Sequence, residues 1–429
     1  MRGAGSYTTT SIIAAVASAA SAVRYNFGPG ISISLVIAVV LLPVWWPALR
    51  RYRFARPLML LAALATVWGA VLTVFETMRP TSTSLLLEQS FTLLSLAGSI
   101  GVLLWARAEL GLGGTAVAFG AGALANVALT GGNSANLWKY SLAVPVIIIV
   151  LGFTSTTRRR SLDLLALAAL AVVCLFSDSR SMTSFLLLAA VIVLWQMFLP
   201  PGARRPRPAQ TLVLLGALSL AAFSLLQALI LEGVLGDAAQ QRTQAQIDTS
   251  GSLIAGGRPE LGAASALIGA RPQGFGSGVL PTSQDVWIAK TGMSELNYDP
   301  DNGYVEGYMF GGQFEVHSVL GDLWLRFGPF GAAFALALLC AAIYAVARAV
   351  SLKAASGLVV WLTLLGAWDT FFSPLLTSSR TLALLFALTA IPVAEVVRRR
   401  GTRATSIDDL IPPAGADRAE QSVPRPAES

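Results

Sequence analysis

The sequence predicts an all-α protein with about twelve helices crossing a membrane, and three observations predict it. Hydrophobic residues make up 55% of 429 and charged residues only 12%, with a mean hydropathy of +0.66, far from the balance of a soluble domain. Apolar runs of about 18 to 22 residues, the length a helix needs to cross a hydrocarbon core, recur along the chain. Basic residues crowd into alternate connections between those runs, as cytoplasmic loops do.

Taken in order, the first nine runs lie at 8–23, 31–49, 57–76, 85–106, 114–130, 138–153, 162–176, 182–199 and 211–231. The first is Ala- and Ser-rich, and with no charged leader beyond Arg2 it reads as a helix that stays in the chain. A polar stretch at 233–327 follows, and then three more runs at 328–347, 356–372 and 377–397. The division is therefore nine spans in 1–232, a large loop at 233–327, three spans in 328–397 and a tail at 398–429. Charges inside the runs are few: Glu88, and Asp369 near the end of its run. The Pro-, Ala- and charge-rich tail has too few apolar residues to fold and reads as disordered.

With the N-terminus inside, 20 of the 30 Lys and Arg residues fall on the cytoplasmic side, including every multi-arginine cluster. Both termini are then cytoplasmic and the 233–327 loop is outside. The net charge of +7 is a topology signal rather than a nucleic-acid footprint. That loop carries five basic residues against ten acidic ones, so an anion site on it must be built from a few chosen arginines. Cys174 and Cys340 sit within apolar runs as small hydrophobes, and their spacing implies neither a disulfide framework nor a metal site.

Three short stretches carry the chemistry. In "GGRPELGAASALIGARPQGFGSG", Pro259 suits a helix start, Leu261, Ala264, Leu267 and Ile268 give one apolar face, and Arg271-Pro272 ends it. Arg258 then stands at a helix N-terminus, an arrangement suited to pyrophosphate, and Gly274 and Gly276 form a turn where backbone can approach a ligand. Taken alone, an arginine there is more often an ordinary solvated side chain. "SDSRSM" sets Arg180 at the outer end of two helices, where a charge is more often an interfacial anchor. His317, the chain's one histidine, stands where the loop gives way to an apolar helix; alone it reads as an interfacial side chain with a structural hydrogen bond.

In "HSVLGDLWLRFGPFG", His317-Ser318 is followed by nine residues, Gly328, two residues and Gly331. This resembles the signature of the O-antigen ligase and O-antigen polymerase superfamily of integral membrane glycosyltransferases: His, then Asn, Ser or Gln, nine residues, Gly, two residues, then Gly, Thr or Tyr. The resemblance extends to about twelve spans with a large outer loop between the ninth and tenth, to a Ser-Arg motif at Arg180, and to an Arg-containing helix before a Pro-x-Gly-x-Gly turn.

The resemblance implies a metal-independent, cofactor-free enzyme at the outer face of the bacterial inner (cytoplasmic) membrane. Its donor would be an undecaprenyl-pyrophosphate-linked glycan and its acceptor a hydroxyl of a glycan or glycolipid, with membrane lipid as a further partner and no nucleic acid. His317 would be the general base, with inversion at the anomeric carbon. Arg180 and Arg258 would neutralise the departing pyrophosphate, Arg271 would be a second loop cation, and Ser318, Gly274 and Gly276 would border the substrate. Glu315 is a candidate to orient the imidazole. Other readings stay open. A polysaccharide polymerase of the same superfamily differs from a ligase of the lipopolysaccharide type in its acceptor. A lipid-linked glycan transporter or flippase would place ionisable groups near the bilayer midplane, where Glu88 is the main candidate. A noncatalytic envelope scaffold would leave His317 replaceable. The sidedness has a direct test: a reporter active only outside the cytoplasm should report when fused within 233–327 and stay silent when fused within 203–207.

Overall fold

The computed structural model describes residues 9–157, 159–198, 208–233, 237–250 and 258–393. The tail expected at 398–429 lies outside them, as do Arg158, Gly257 and the arginines at 204, 205 and 207. Among the described residues the chain is helical, with isolated β-bridges and no strand. The helices are α1 (Thr9–Ala20), α2 (Ile33–Val40), α3 (Leu42–Ala48), α4 (Ala55–Val74), α5 (Thr83–Thr130), α6 (Ala143–Thr157), α7 (Arg160–Phe176) and α8 (Arg180–Phe198). They continue with α9 (Pro208–Leu231), α10 (Asp237–Ser250), α11 (Glu260–Ala270), α12 (Ser283–Ser294), α13 (Val319–Ser351), α14 (Gly357–Phe372) and α15 (Leu375–Thr389).

Five of the described helices are long and apolar enough to cross a membrane, or six if α2 and the segment after it count as one bent span. The break in that pair has a local cause. Pro43 has no N–H to give the Val39 carbonyl, the Leu41 amide closes the last turn of α2 onto Ile37 O at 2.9 Å, and the chain then bends by 76°. The runs at 85–106 and 114–130 are joined in one helix, α5, broken at Gly111, whose φ of 76° and ψ of 175° leave the helical region. Hydroxyls within the apolar helices return to their own backbone, as Thr73 Oγ1 does to Gly69 O at 2.8 Å and Thr370 Oγ1 to Gly366 O at 2.7 Å.

The tenth run begins earlier than its hydropathy predicts. Ser318 caps α13 by accepting from Gly321 N, so the helix starts at Val319, still inside the predicted loop. At Gly328 it breaks, with φ 62° and ψ −154°. Pro329 follows and has no N–H for the carbonyl of Leu325, four residues before it. The missing donor is supplied from outside the helix: Phe275 N donates to Leu325 O at 2.7 Å. Neighbouring bonds stitch the same strap into α13 and α4: Trp324 Nε1 to Pro272 O at 2.8 Å, Trp68 Nε1 to Gln273 O at 3.1 Å and Gly278 N to Thr73 Oγ1 at 2.9 Å.

The chain from 258 to 327 has its own apolar core. Ala263 and Leu267 of α11, Ala289 and Met293 of α12, and Phe275, Phe310 and Phe314 pack together with Leu325 of α13. The junction with α4 is ionic. Arg79 Nε and Nη2 donate to the two Asp285 oxygens at 3.0 and 2.8 Å, and Asp285 also completes a capping box with Thr282 at the start of α12. Burial alone would raise the fully buried Asp285 carboxyl; hydrogen bonds from Arg79 and Thr282 outweigh it and hold the group below the usual carboxylate range.

The arginine-rich connections meet at the opposite end. Arg53 N donates to Ile391 O at 2.9 Å, Arg160 donates to Gln196 O and Lys353 O, and Arg107 Nη1 donates to Ala387 O and Ala390 O at 2.7 and 2.8 Å. These last two bonds satisfy carbonyls at the C-terminal end of α15, which have no partner within the helix.

Two outcomes are expected. A Cβ at Gly328 would lie 2.3 Å from Gln273 O and 2.6 Å from Trp68 Nε1. Gly328→Ala should therefore cost about 3 kcal/mol through strain and overlap, read as a lower Tm in detergent. Because Asp285 titrates lower folded than unfolded, its contribution is complete above its ordinary value of about 4 and is lost as pH falls through the folded value. Asp285→Ala, which leaves Arg79 only its longer ion pair with Glu76 at 3.8 Å, should cost about 2 kcal/mol at pH 7. Melts of that variant should lose part of the acid sensitivity that the wild type shows below about pH 4.

Candidate functional site

His317 lies one residue before the Ser318 cap, with a left-handed backbone at φ 49°. That conformation is uncommon for a side chain with a Cβ and persists only where the surroundings over-determine it. Both flanks do so here. Ahead of His317, Val316 N donates to the fully buried Asp322 at 2.8 Å, and Asp322 also accepts from Leu375 N at 2.9 Å, fixing the start of α15. Behind it, Ser318 Oγ donates to Thr370 O at 3.2 Å, near the end of α14.

A second network holds the incoming segment. Arg326, 5% exposed, donates from Nε and Nη2 to Phe314 O and from Nη1 to Gln89 Oε1 of α5 at 2.7 Å. Gln89 Nε2 passes the chain on to Gln313 Oε1 at 2.6 Å, and Gln313 donates to Glu315 at 3.0 Å. Glu315 is therefore tied to Gln313, and no hydrogen bond joins it to the imidazole. Burial, with Asp322 nearby, pushes its carboxyl above the usual range despite Arg326 and His317.

The imidazole itself stacks on Tyr304, centroids 5.9 Å apart and planes 26° apart, and Tyr304 in turn stacks on the exposed Tyr308 at 5.7 Å. His317 Nδ1 is buried and has no hydrogen-bond partner. The Tyr304 hydroxyl donates to Glu260 Oε1 at 2.7 Å; burial and this carboxylate push the phenol above its usual range, while Arg258 pulls it down. Arg258 lies with its guanidinium carbon 5.4 Å from the Trp368 ring centroid, and its charge also acts on Asp369. Phe185 of α8 packs against the other residue of this contact, with ring centroids 5.7 Å apart between Phe185 and Trp368.

Of the residues the sequence singles out, His317, Ser318 and Arg258 share this neighbourhood. Arg180 stands at the head of α8, the helix that carries Phe185, with Nε 3.7 Å from Asp178. Arg271 belongs elsewhere: it pairs with Glu76 at the end of α4 and lies over Phe275. Gly274 and Gly276 are buried rather than open to a ligand. Their positive φ of 90° and 120° serves backbone approach within the protein, to Gly328 and Thr73 respectively. Ser318 is spent on the cap. Sequence reasoning missed Tyr304, Glu260, Trp368, Asp322 and Arg326. The last two carried a signal, opposite charges at i and i+4 between the histidine and the first glycine of the motif, and aromatic "WDTFF" closed the eleventh run.

No protein-family model matches the chain, and neither a curated protein nor a solved structure does. The resemblance at 317–331 thus rests on these residues and their placement. Three of the four motif positions have a structural demand of their own: a cap at Ser318, the helix break at Gly328, and at Gly331 a contact so close that a Cβ would overlap Leu323 O; the left-handed backbone at His317 would suit Gly or Asn better than an imidazole.

Proposed function

We propose that the chain is an O-antigen ligase-like glycosyltransferase that moves a glycan from undecaprenyl pyrophosphate to an acceptor hydroxyl. In this reading twelve spans cross the bacterial cytoplasmic membrane, both termini are cytoplasmic, and the loop at 233–327 faces out. The observation that carries it is the chain's one imidazole, held in a strained backbone between two buried polar networks and beside an arginine stacked on Trp368.

A sugar hydroxyl is a poor nucleophile until its proton is taken during attack, and an imidazole suits that task. With Nδ1 turned into the protein, we assign Nε2 of His317 to the acceptor. The leaving pyrophosphate needs charge neutralisation rather than a proton, and Arg258, fixed against Trp368 at the edge of the same cluster, is the cation we assign to it. Arg180, at the head of the next helix, is the second. Arg271, already paired with Glu76, is assigned to structure instead.

The test uses purified protein in liposomes with an undecaprenyl-pyrophosphate oligosaccharide, products being read by mass spectrometry. His317→Asn, which tolerates a left-handed backbone, should keep the wild-type Tm while turnover falls by about 100-fold or more. Arg258→Lys should lower turnover by about tenfold or more, since a point charge does not replace the fork. A ladder of longer lipid-linked glycans without added acceptor would assign a polymerase; turnover only with a distinct acceptor, a ligase. Equal turnover by wild type and His317→Asn would sink the general-base assignment.

A further inference from the structure

A second site lies on the neighbouring face of α5. Gln89 reaches toward the His317 loop, whereas Glu88, Thr92, Ser95 and Ser99, spaced at three and four residues, line a cavity of about 80 Å³. The start of α2 and the first turns of α15 close it. Between apolar helices the lining is polar, and most of it is internally satisfied: Ser32, Ser34 and Ser95 hydrogen-bond one another at 2.7–2.9 Å.

Arg380 is not satisfied. It projects from α15 into this cavity, and its Nε and Nη1 are buried with no hydrogen-bond partner. Arg380 is half-buried, and the two buried nitrogens of its guanidinium call for an anion or acceptors nearby. Arg24, which donates to Thr377 O at 3.1 Å, adds positive potential on the same side. Glu88 lines the cavity as well, and no ion pair joins it to Arg380. The cavity thus has Arg380 on one wall and the exposed Glu88 on another, not ion-paired with it, and hydroxyls among the rest of the lining.

A ligand that meets both walls carries a negative and a positive group a few bonds apart. The volume, at roughly 10–15 Å³ for each water-sized occupant, admits a small ionic group and excludes a sugar chain. Val36 of α2 and Leu87 of α5 are exposed on the two helices that carry Ser34 and Glu88, offering apolar surface for acyl chains beside the cavity. We infer that this cavity binds the headgroup of a zwitterionic phospholipid with a primary ammonium, its phosphate on Arg380 and its ammonium on Glu88. The inference requires that the helices lie in a bilayer and is independent of glycosyl transfer.

The experiment is native mass spectrometry of the delipidated full-length protein, titrated separately with phosphatidylethanolamine, phosphatidylcholine and phosphatidylglycerol of matched acyl chains. Wild type should retain phosphatidylethanolamine about tenfold better than either of the others, because choline has no N–H for Glu88 and glycerol no positive charge. Arg380→Gln and Glu88→Gln should each lower that retention by about tenfold, and Glu88→Gln should abolish the preference over phosphatidylglycerol. Equal retention of the three lipids by wild type would overturn the inference. So would unchanged retention of phosphatidylethanolamine in both variants, Glu88→Gln being the exposed change that leaves packing intact.

Discussion

The carbonyl of Leu325 organises much of this structure. Pro329 deprives it of its helical donor, and a buried carbonyl without a partner is costly, the more so where no water reaches it. The Phe275 amide fills the place, which brings the 272–280 strap against α13 and α4. The glycines of that strap, and Gly328 opposite them, exist so that two backbones can approach this closely. Once the strap is seated, Phe275 packs on Phe314 at 4.4 Å, and Phe314 presents its carbonyl to Arg326. One missing N–H is thereby linked, bond by bond, to the segment that delivers His317.

The motif residues are consequently both scaffold and candidate chemistry. A signature of His, Ser, Gly and Gly looks like a list of reactive and flexible positions, yet Ser318, Gly328 and Gly331 are each demanded by backbone geometry alone. That demand does not extend to Arg258, Tyr304, Glu260 and Trp368, which reach the neighbourhood of His317 from other elements. It also explains why the imidazole has no orienting carboxylate: its position comes from the backbone on either side, through Asp322 and Ser318, rather than from a partner on the ring.

Hydropathy made the helices legible, because apolar runs of this length have few other solutions. Arg53, Arg107 and Arg160, from three of the arginine-bearing connections, meet at one end around 353–355 and 387–392. Breaks were harder to read. Gly111 and Gly328 lie inside or beside apolar runs, where hydropathy is blind to φ, and Pro43 was hidden among large apolar residues. In the candidate site, His317 and Arg258 were visible because chemistry and spacing coincide there. Trp368 and Tyr304 were not, because their roles arise only when segments distant in sequence meet. Arg271 looked equivalent to Arg258 on paper; Glu76, nearly two hundred residues earlier, distinguishes them.

The last described helix, α15, has only 15 residues and is finished at both ends by side chains made long before it. Its first amide goes to Asp322 and its last carbonyls to Arg107. Neither side chain therefore has its full set of partners until α15 is in place. One short helix thereby ties α13 at its start to α5 at its end.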